Sequence, residues 1–222
     1  MRTYFMTSNF VVAAIMSAIV TLLSVGRLLQ SEMPLFTGVV MLFICMTLVC
    51  AAVTAWGARA GMAGAWTDGR TLRQGLLAAM TLSLALWPIY LLGLDPRLRA
   101  ILADAESHEM LRLAFPSTTG TCVALLLWAA GFQTLFLQAA PMSLAARLTG
   151  HRFAALGLCL LFRLYLAHRQ VVEAGLADHM TFLMALPAAI GLIGCLLFAR
   201  FGLLPAMCFV AVLNARLLLP SA

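Results

Sequence analysis

The residues with chemistry to offer are few, and they sit in apolar surroundings. Arg163 and His168 lie in LLFRLYLAH, Gln133, Thr134 and Gln138 in WAAGFQTLFLQAA, and Asn214 and Arg216 in LLPAMCFVAVLNARLLL. An arginine at the centre of a membrane helix costs roughly 2.5–3.5 kcal/mol on insertion scales. Arg163 must therefore be paired, line a wet cavity, or snorkel to the interface. Polar groups in lipid usually face the bundle interior and find one another. Gln133, Thr134, Gln138, Arg163, His168 and Asn214 thus form a candidate polar intramembrane site between three helices. The same set also reads as hydrogen-bonding glue between helices, and the lack of any acid among its members favours glue.

That lack limits the chemistry. General acid–base catalysis needs a group with a tuned pKa, and only His168 in the set could cycle a proton near neutral pH. No catalytic residue is assigned. A second cluster, Asp104, Glu106, His108 and Glu109, places Asp104 and His108 four apart, as a shared metal would need, but one helical turn of surface charge accounts for it. No metal site and no cofactor are expected. His151 and His179 fall in loops. Neither G-x-S-x-G nor a Walker A sequence occurs. A haem would need two membrane histidines at matched depth, and only His168 comes close. The six cysteines contain no C-x-x-C pair and sit in apolar runs, where they fill space as small hydrophobes.

The elements that must position these residues are membrane helices. Of 222 residues, 64% are hydrophobic and 10% charged, too few charges to cover a soluble domain. Uncharged runs of about 20 residues match the bilayer, their backbone groups must be satisfied internally, and the absence of period-2 alternation selects helices over a barrel. The expected fold is all-α: a transmembrane bundle of about seven helices plus one interfacial helix, in a single domain. The spans are 10–25, 34–56, 74–94, 121–139, 153–172, 181–198 and 203–219. Pro88 is expected to kink the third. Asp95-Pro96 reads as a helix start, opening an interfacial helix with Leu98, Ile101, Leu102 and Ala105 on its apolar face. Pro141 is expected to end the fourth span. Ala188, Gly191, Cys195 and Ala199 form a small-residue stripe on the sixth. The first span reads as retained, since no A-x-A-like site follows it before Arg27.

All 14 basic residues are arginine, and the net charge is +6. With no basic tail or basic-aromatic patch, nucleic-acid binding is not expected; the excess fits the positive-inside bias. Loops on the N-terminal side hold Arg2, Arg59, Arg70, Arg73, Arg147, Arg152 and Arg200 against Asp68, while the other side holds Glu32, Asp95, Asp104, Glu106, Glu109, Glu173 and Asp178. The expectation is a multi-pass protein of a bacterial inner membrane with its N-terminus in the cytoplasm.

The C-terminal half resembles the CAAX-protease and bacteriocin-processing family of intramembrane proteases, the Abi-type proteins. That family carries Glu-Glu-x-x-x-Arg, then Phe-x-x-x-His, then His-x-x-x-Asn or Asp on successive helices. The resemblance sets Gln133 and Thr134 at the glutamates and Gln138 at the arginine. It sets Leu164 and His168 at the second pair (Leu166 there if the alignment rests on Phe162), and Val210 and Asn214 at the third. Only His168 and Asn214 keep their type, so the resemblance implies a relative without the glutamates that activate water.

The function expected on these grounds is a non-catalytic accessory, assembly or scaffold subunit that binds partner membrane helices, with membrane lipids and other membrane subunits as its partners. Two alternatives stand beside it: an intramembrane protease or hydrolase with an altered site built on His168, and a small transporter or lipid-binding protein whose Arg163 holds an anionic headgroup. Arg163 has no visible counter-charge unless Glu173 or a partner supplies one.

Overall fold

The computed structural model describes residues 2–29, 34–59, 61–63, 67–104, 115–116 and 118–219. Every regular element among them is helical. They are α1 (Arg2–Leu28), α2 (Leu35–Arg59), α3 (Gly69–Ile89), α4 (Asp95–Asp104), α5 (Thr119–Trp128), α6 (Ala140–Thr149), α7 (Arg152–Glu173), α8 (Met180–Phe201) and α9 (Leu203–Ala215). Five stretches are long and apolar enough to cross a membrane: 35–58, 69–103, 119–149, 152–173 and 177–201. Val11–Gly26 and Leu203–Leu218 are shorter apolar helices. The chain is a helical membrane bundle.

Two of these stretches are longer than their sequence suggests, for one reason. Asp95-Pro96 does not start a helix. Asp95 has ordinary α backbone angles (φ −64, ψ −44), and its N–H bonds five residues back to the Tyr90 carbonyl. A π turn, Tyr90–Leu94, thus splices α3 to α4. Pro141 likewise does not end its span. The π turn Leu135–Ala139 precedes it, and the Ala140 N–H bonds back to the Leu135 carbonyl. In both places the residue before the proline makes an i→i−5 bond. A proline inside an α-helix lacks the N–H for the i−4 carbonyl and its ring strikes that carbonyl. Widening the turn relieves the clash, so the helix continues. The 35-residue helix Gly69–Ala103 is about 52 Å long at 1.5 Å per residue, well beyond a hydrocarbon layer of about 30 Å.

Its overhang packs on protein along one face. Ile101 and Leu102 are buried with Val171 at the end of α7 and Leu176 in the following turn, with Leu98 and Phe182 packed against them. Arg97 stacks on the Phe182 ring at 4.6 Å and Arg99 on the Phe115 ring at 4.4 Å. The apolar face expected for an interfacial helix therefore closes a small core with protein. Ala105 and the residues Glu106, His108 and Glu109 lie outside the described residues.

Side-by-side contacts fix the helix directions. Gly26 of α1 abuts Ala124 of α5, while Gly131 abuts Leu23, so these two run antiparallel. Gly75 abuts Phe201 and Pro205, Ser83 Oγ donates to the Phe209 carbonyl at 2.9 Å, and Trp87 Nε1 donates to the Val212 carbonyl at 2.9 Å. Hence α3 and α9 run parallel. Gly150 (φ +70) and Gly202 (φ +94) make the sharp reversals into α7 and α9, conformations that need a residue without Cβ. The large core, with Met16, Met46, Leu135, Phe198 and Phe209 wholly or almost wholly buried, lies among α1, α2, α8, α9 and the long helix 119–149.

Candidate functional site

The six candidate residues do not converge: Gln138 and Arg163 line a seam, Asn214 joins an ion pair, His168 is exposed, and Gln133 and Thr134 belong to none of these.

The seam lies between the π turn at 135–139, α7 and α8. Gln138 is 2% exposed, and its Oε1 is buried with no hydrogen-bond partner among the described residues. It sits where a Cβ on Gly194 would fall 2.2 Å from that oxygen. One turn along α8, a Cβ on Gly191 would fall 2.7 Å from both Cδ and Nε of Arg163. The two glycines clear space for the two polar side chains. Gly191 belongs to the small-residue stripe, which here receives a guanidinium as well as a helix. Between them, Cys159 Sγ contacts Cys195 Sγ at 3.4 Å and lies 3.7 and 3.6 Å from the Leu137 and Gln138 carbonyls. Leu137 is the i−4 residue to Pro141, so the thiol reaches the carbonyl that proline leaves without its usual donor. Core filling therefore describes Cys159 only in part. This pairing was not legible in the sequence: Cys159 and Cys195 stand 36 positions apart with no motif between them.

Thr134 is fully buried, but its Oγ1 donates to the Ala129 carbonyl of its own helix at 3.2 Å. Gln133 is half-buried and His168 exposed. Among the described residues no hydrogen bond joins Gln133, His168 and Asn214 to one another. Arg163 is half-buried and makes no ion pair among the described residues. Glu173 does not supply its counter-charge, because it pairs with Arg169, accepting from Nε at 3.1 Å, on the exposed face of α7.

Asn214 belongs to the other arrangement. The Arg216 guanidinium grips Asp95 in a fork, Nε to Oδ2 at 2.9 Å and Nη2 to Oδ1 at 3.1 Å. Its Nη1 donates to the Leu213 carbonyl at 2.8 Å and to Asn214 Oδ1 at 3.3 Å. Its Cζ lies 4.1 Å from the Tyr90 ring centroid. Both charged side chains are less than a tenth exposed. Each carboxylate oxygen and each guanidinium nitrogen has a partner, the condition under which a buried pair holds. The π turn brings Tyr90 and Asp95 to this one place, where α3–α4 meets the end of α9. The sequence reads Asp95 as a helix start in a loop; in the structure it is a buried strut. The sequence signal was an acid at the end of an uncharged run from 74 to 94, with an arginine inside the last turns of the final span.

No protein-family model, curated protein or solved structure matches the chain.

Proposed function

We propose that the protein is a non-catalytic subunit of a bacterial inner-membrane assembly, binding a partner membrane helix that carries a carboxylate. The single observation behind this reading is Arg163. It stands mid-span on α7, accommodated by Gly191, with no counter-charge among the described residues. A charge so placed is expensive unless something neutralises it. An aspartate or glutamate on a neighbouring helix would do so at that depth.

The form of α7 supports the reading. Leu158, Leu161, Phe162 and Tyr165 are exposed along it. Beside it, α2 and α6 leave an open groove of about 580 Å³, walled by Leu48, Ala52, Phe136, Ala140, Leu144 and Phe162. Small residues such as Ala52 and Ala140 let another helix approach closely. Two of the described carboxylates are committed elsewhere, Asp95 to Arg216 and Glu173 to Arg169. The arginine-rich end, with Arg70, Arg73, Arg147, Arg152 and Arg200, is the cytoplasmic one in this reading.

The test is purification from native membranes in mild detergent. The wild type brings a membrane protein with it, Arg163→Lys keeps it, and Arg163→Leu loses it although the chain accumulates normally. Recovery of the wild-type chain alone and monodisperse would rule the reading out.

A further inference from the structure

At the arginine-rich end a second cavity opens, separate from the seam. We propose that it binds the headgroup of an anionic phospholipid. The segment after α2 folds back on the end of α8: the Ala63 N–H donates to the Ala199 carbonyl at 3.0 Å, and Thr67 Oγ1 donates to the Phe201 carbonyl at 3.2 Å. Between this segment, the first turns of α3 and α7, and the last turns of α8 lies a space of about 720 Å³. That is within the range of about 300–1,000 Å³ found for small-molecule sites.

Its lining has two characters. Arg152 and Arg200 supply cationic groups, with Thr67 and Thr71 also in the lining, whereas Met62 and Leu196 are among its apolar residues. Neither arginine takes part in an ion pair among the described residues. Each guanidinium lies over the ring of the next residue in sequence, Arg152 at 5.0 Å from the Phe153 centroid and Arg200 at 5.3 Å from that of Phe201. The nearby acid, Asp68, is exposed, and its Oδ2 accepts the Thr71 N–H at 3.1 Å as the cap of α3. A phosphate is the group that two guanidinium forks suit. Inorganic phosphate or a soluble phosphate ester offers the same oxygens. The apolar floor and the position at the ends of membrane helices favour a lipid, whose chains continue past Leu156 and the exposed Phe153. Basic pockets between membrane helices hold such headgroups.

The full chain in nanodiscs of phosphatidylcholine, titrated with phosphatidylglycerol and read by native mass spectrometry, tests this. The wild type should retain phosphatidylglycerol over phosphatidylcholine by at least about tenfold. Arg152→Gln with Arg200→Gln should abolish the preference, while Arg70→Gln with Arg73→Gln should leave it. Melting in pure phosphatidylcholine checks that all variants fold alike. A preference lost equally in both double variants would mean diffuse surface charge and would overturn the proposal. So would a wild type without preference, or sn-glycerol phosphate displacing the lipid at equal concentration, which would mark a soluble phosphate site.

Discussion

Arg163 and Arg216 are both arginines within apolar helices, and the bundle treats them oppositely. Arg216 is enclosed by a carboxylate, a carbonyl, an amide and a ring. Arg163 occupies the room left by Gly191. The first is a closed circuit of charge and hydrogen bonds that ties the end of α3 to the end of α9. The second is an open one, built by removing bulk and not by supplying charge. Neighbouring residues in the sequence do not distinguish them. What does is whether the fold brings an acid to the same depth, and the π turn at 90–94 is what delivers Asp95.

The contrast is broken most strongly at the closed circuit. Arg216→Leu leaves Asp95 buried without its partner, and unfolding of the purified chain in detergent should show a loss of about 3–5 kcal/mol. Pairing it with Asp95→Leu should recover much of that, because two apolar residues leave no orphaned charge. A double variant no better than the single would deny the pair its role. Next comes the seam. Gly194→Ala forces a methyl group into the buried Gln138 amide, and overpacking of this kind costs about 1–3 kcal/mol. Adding Gln138→Ala should restore the loss if the two collide. A smaller effect follows at the α3–α9 contact. Ser83→Ala removes a hydroxyl that donates to the Ala79 and Phe209 carbonyls, and the same unfolding assay should register about 1 kcal/mol.

The smallest effect is at the exposed cap. Bonding to Thr71, first its hydroxyl and then its N–H, holds the Asp68 carboxyl below the usual carboxylate range. A carboxyl with its folded pKa lowered adds stability that is complete above the unfolded pKa and fades as pH falls through the folded value. The melting difference between wild type and Asp68→Asn should therefore be constant near neutrality and vanish in strong acid. A difference that persists there would remove the charge from the explanation.

How much of this was legible in the sequence follows from which forces act locally. Hydropathy alone marks the helices, because the bilayer imposes length and internal hydrogen bonding on each run. At the prolines the sequence misleads about helix ends. Asp95-Pro96 and Pro141 carry the residues of a boundary, but a π turn depends on what packs beside it, and no local rule announces it. The apolar face Leu98–Ile101–Leu102 was readable from its spacing, its burial against Val171 and Leu176 was not. Within the candidate site, the sequence supplied the polar residues yet not their company. Gln138 and Arg163 share a seam through Gly191, Gly194 and Cys195 of α8 and Cys159 of α7, residues whose contribution is the room or the thiol they provide. Asn214 belongs with Arg216, and His168 faces outward on α7.

Arg163, unlike Arg216, contributes nothing to holding this chain together. Unfolding of the isolated chain, with Arg163→Leu set beside Arg216→Leu under the same conditions, measures it directly. Arg163→Leu should leave stability unchanged or raise it, since a charge with no ion pair among the described residues is replaced by an apolar side chain in an apolar place. A loss equal to that of Arg216→Leu would contradict it, because Arg163 would then have its partner within the chain.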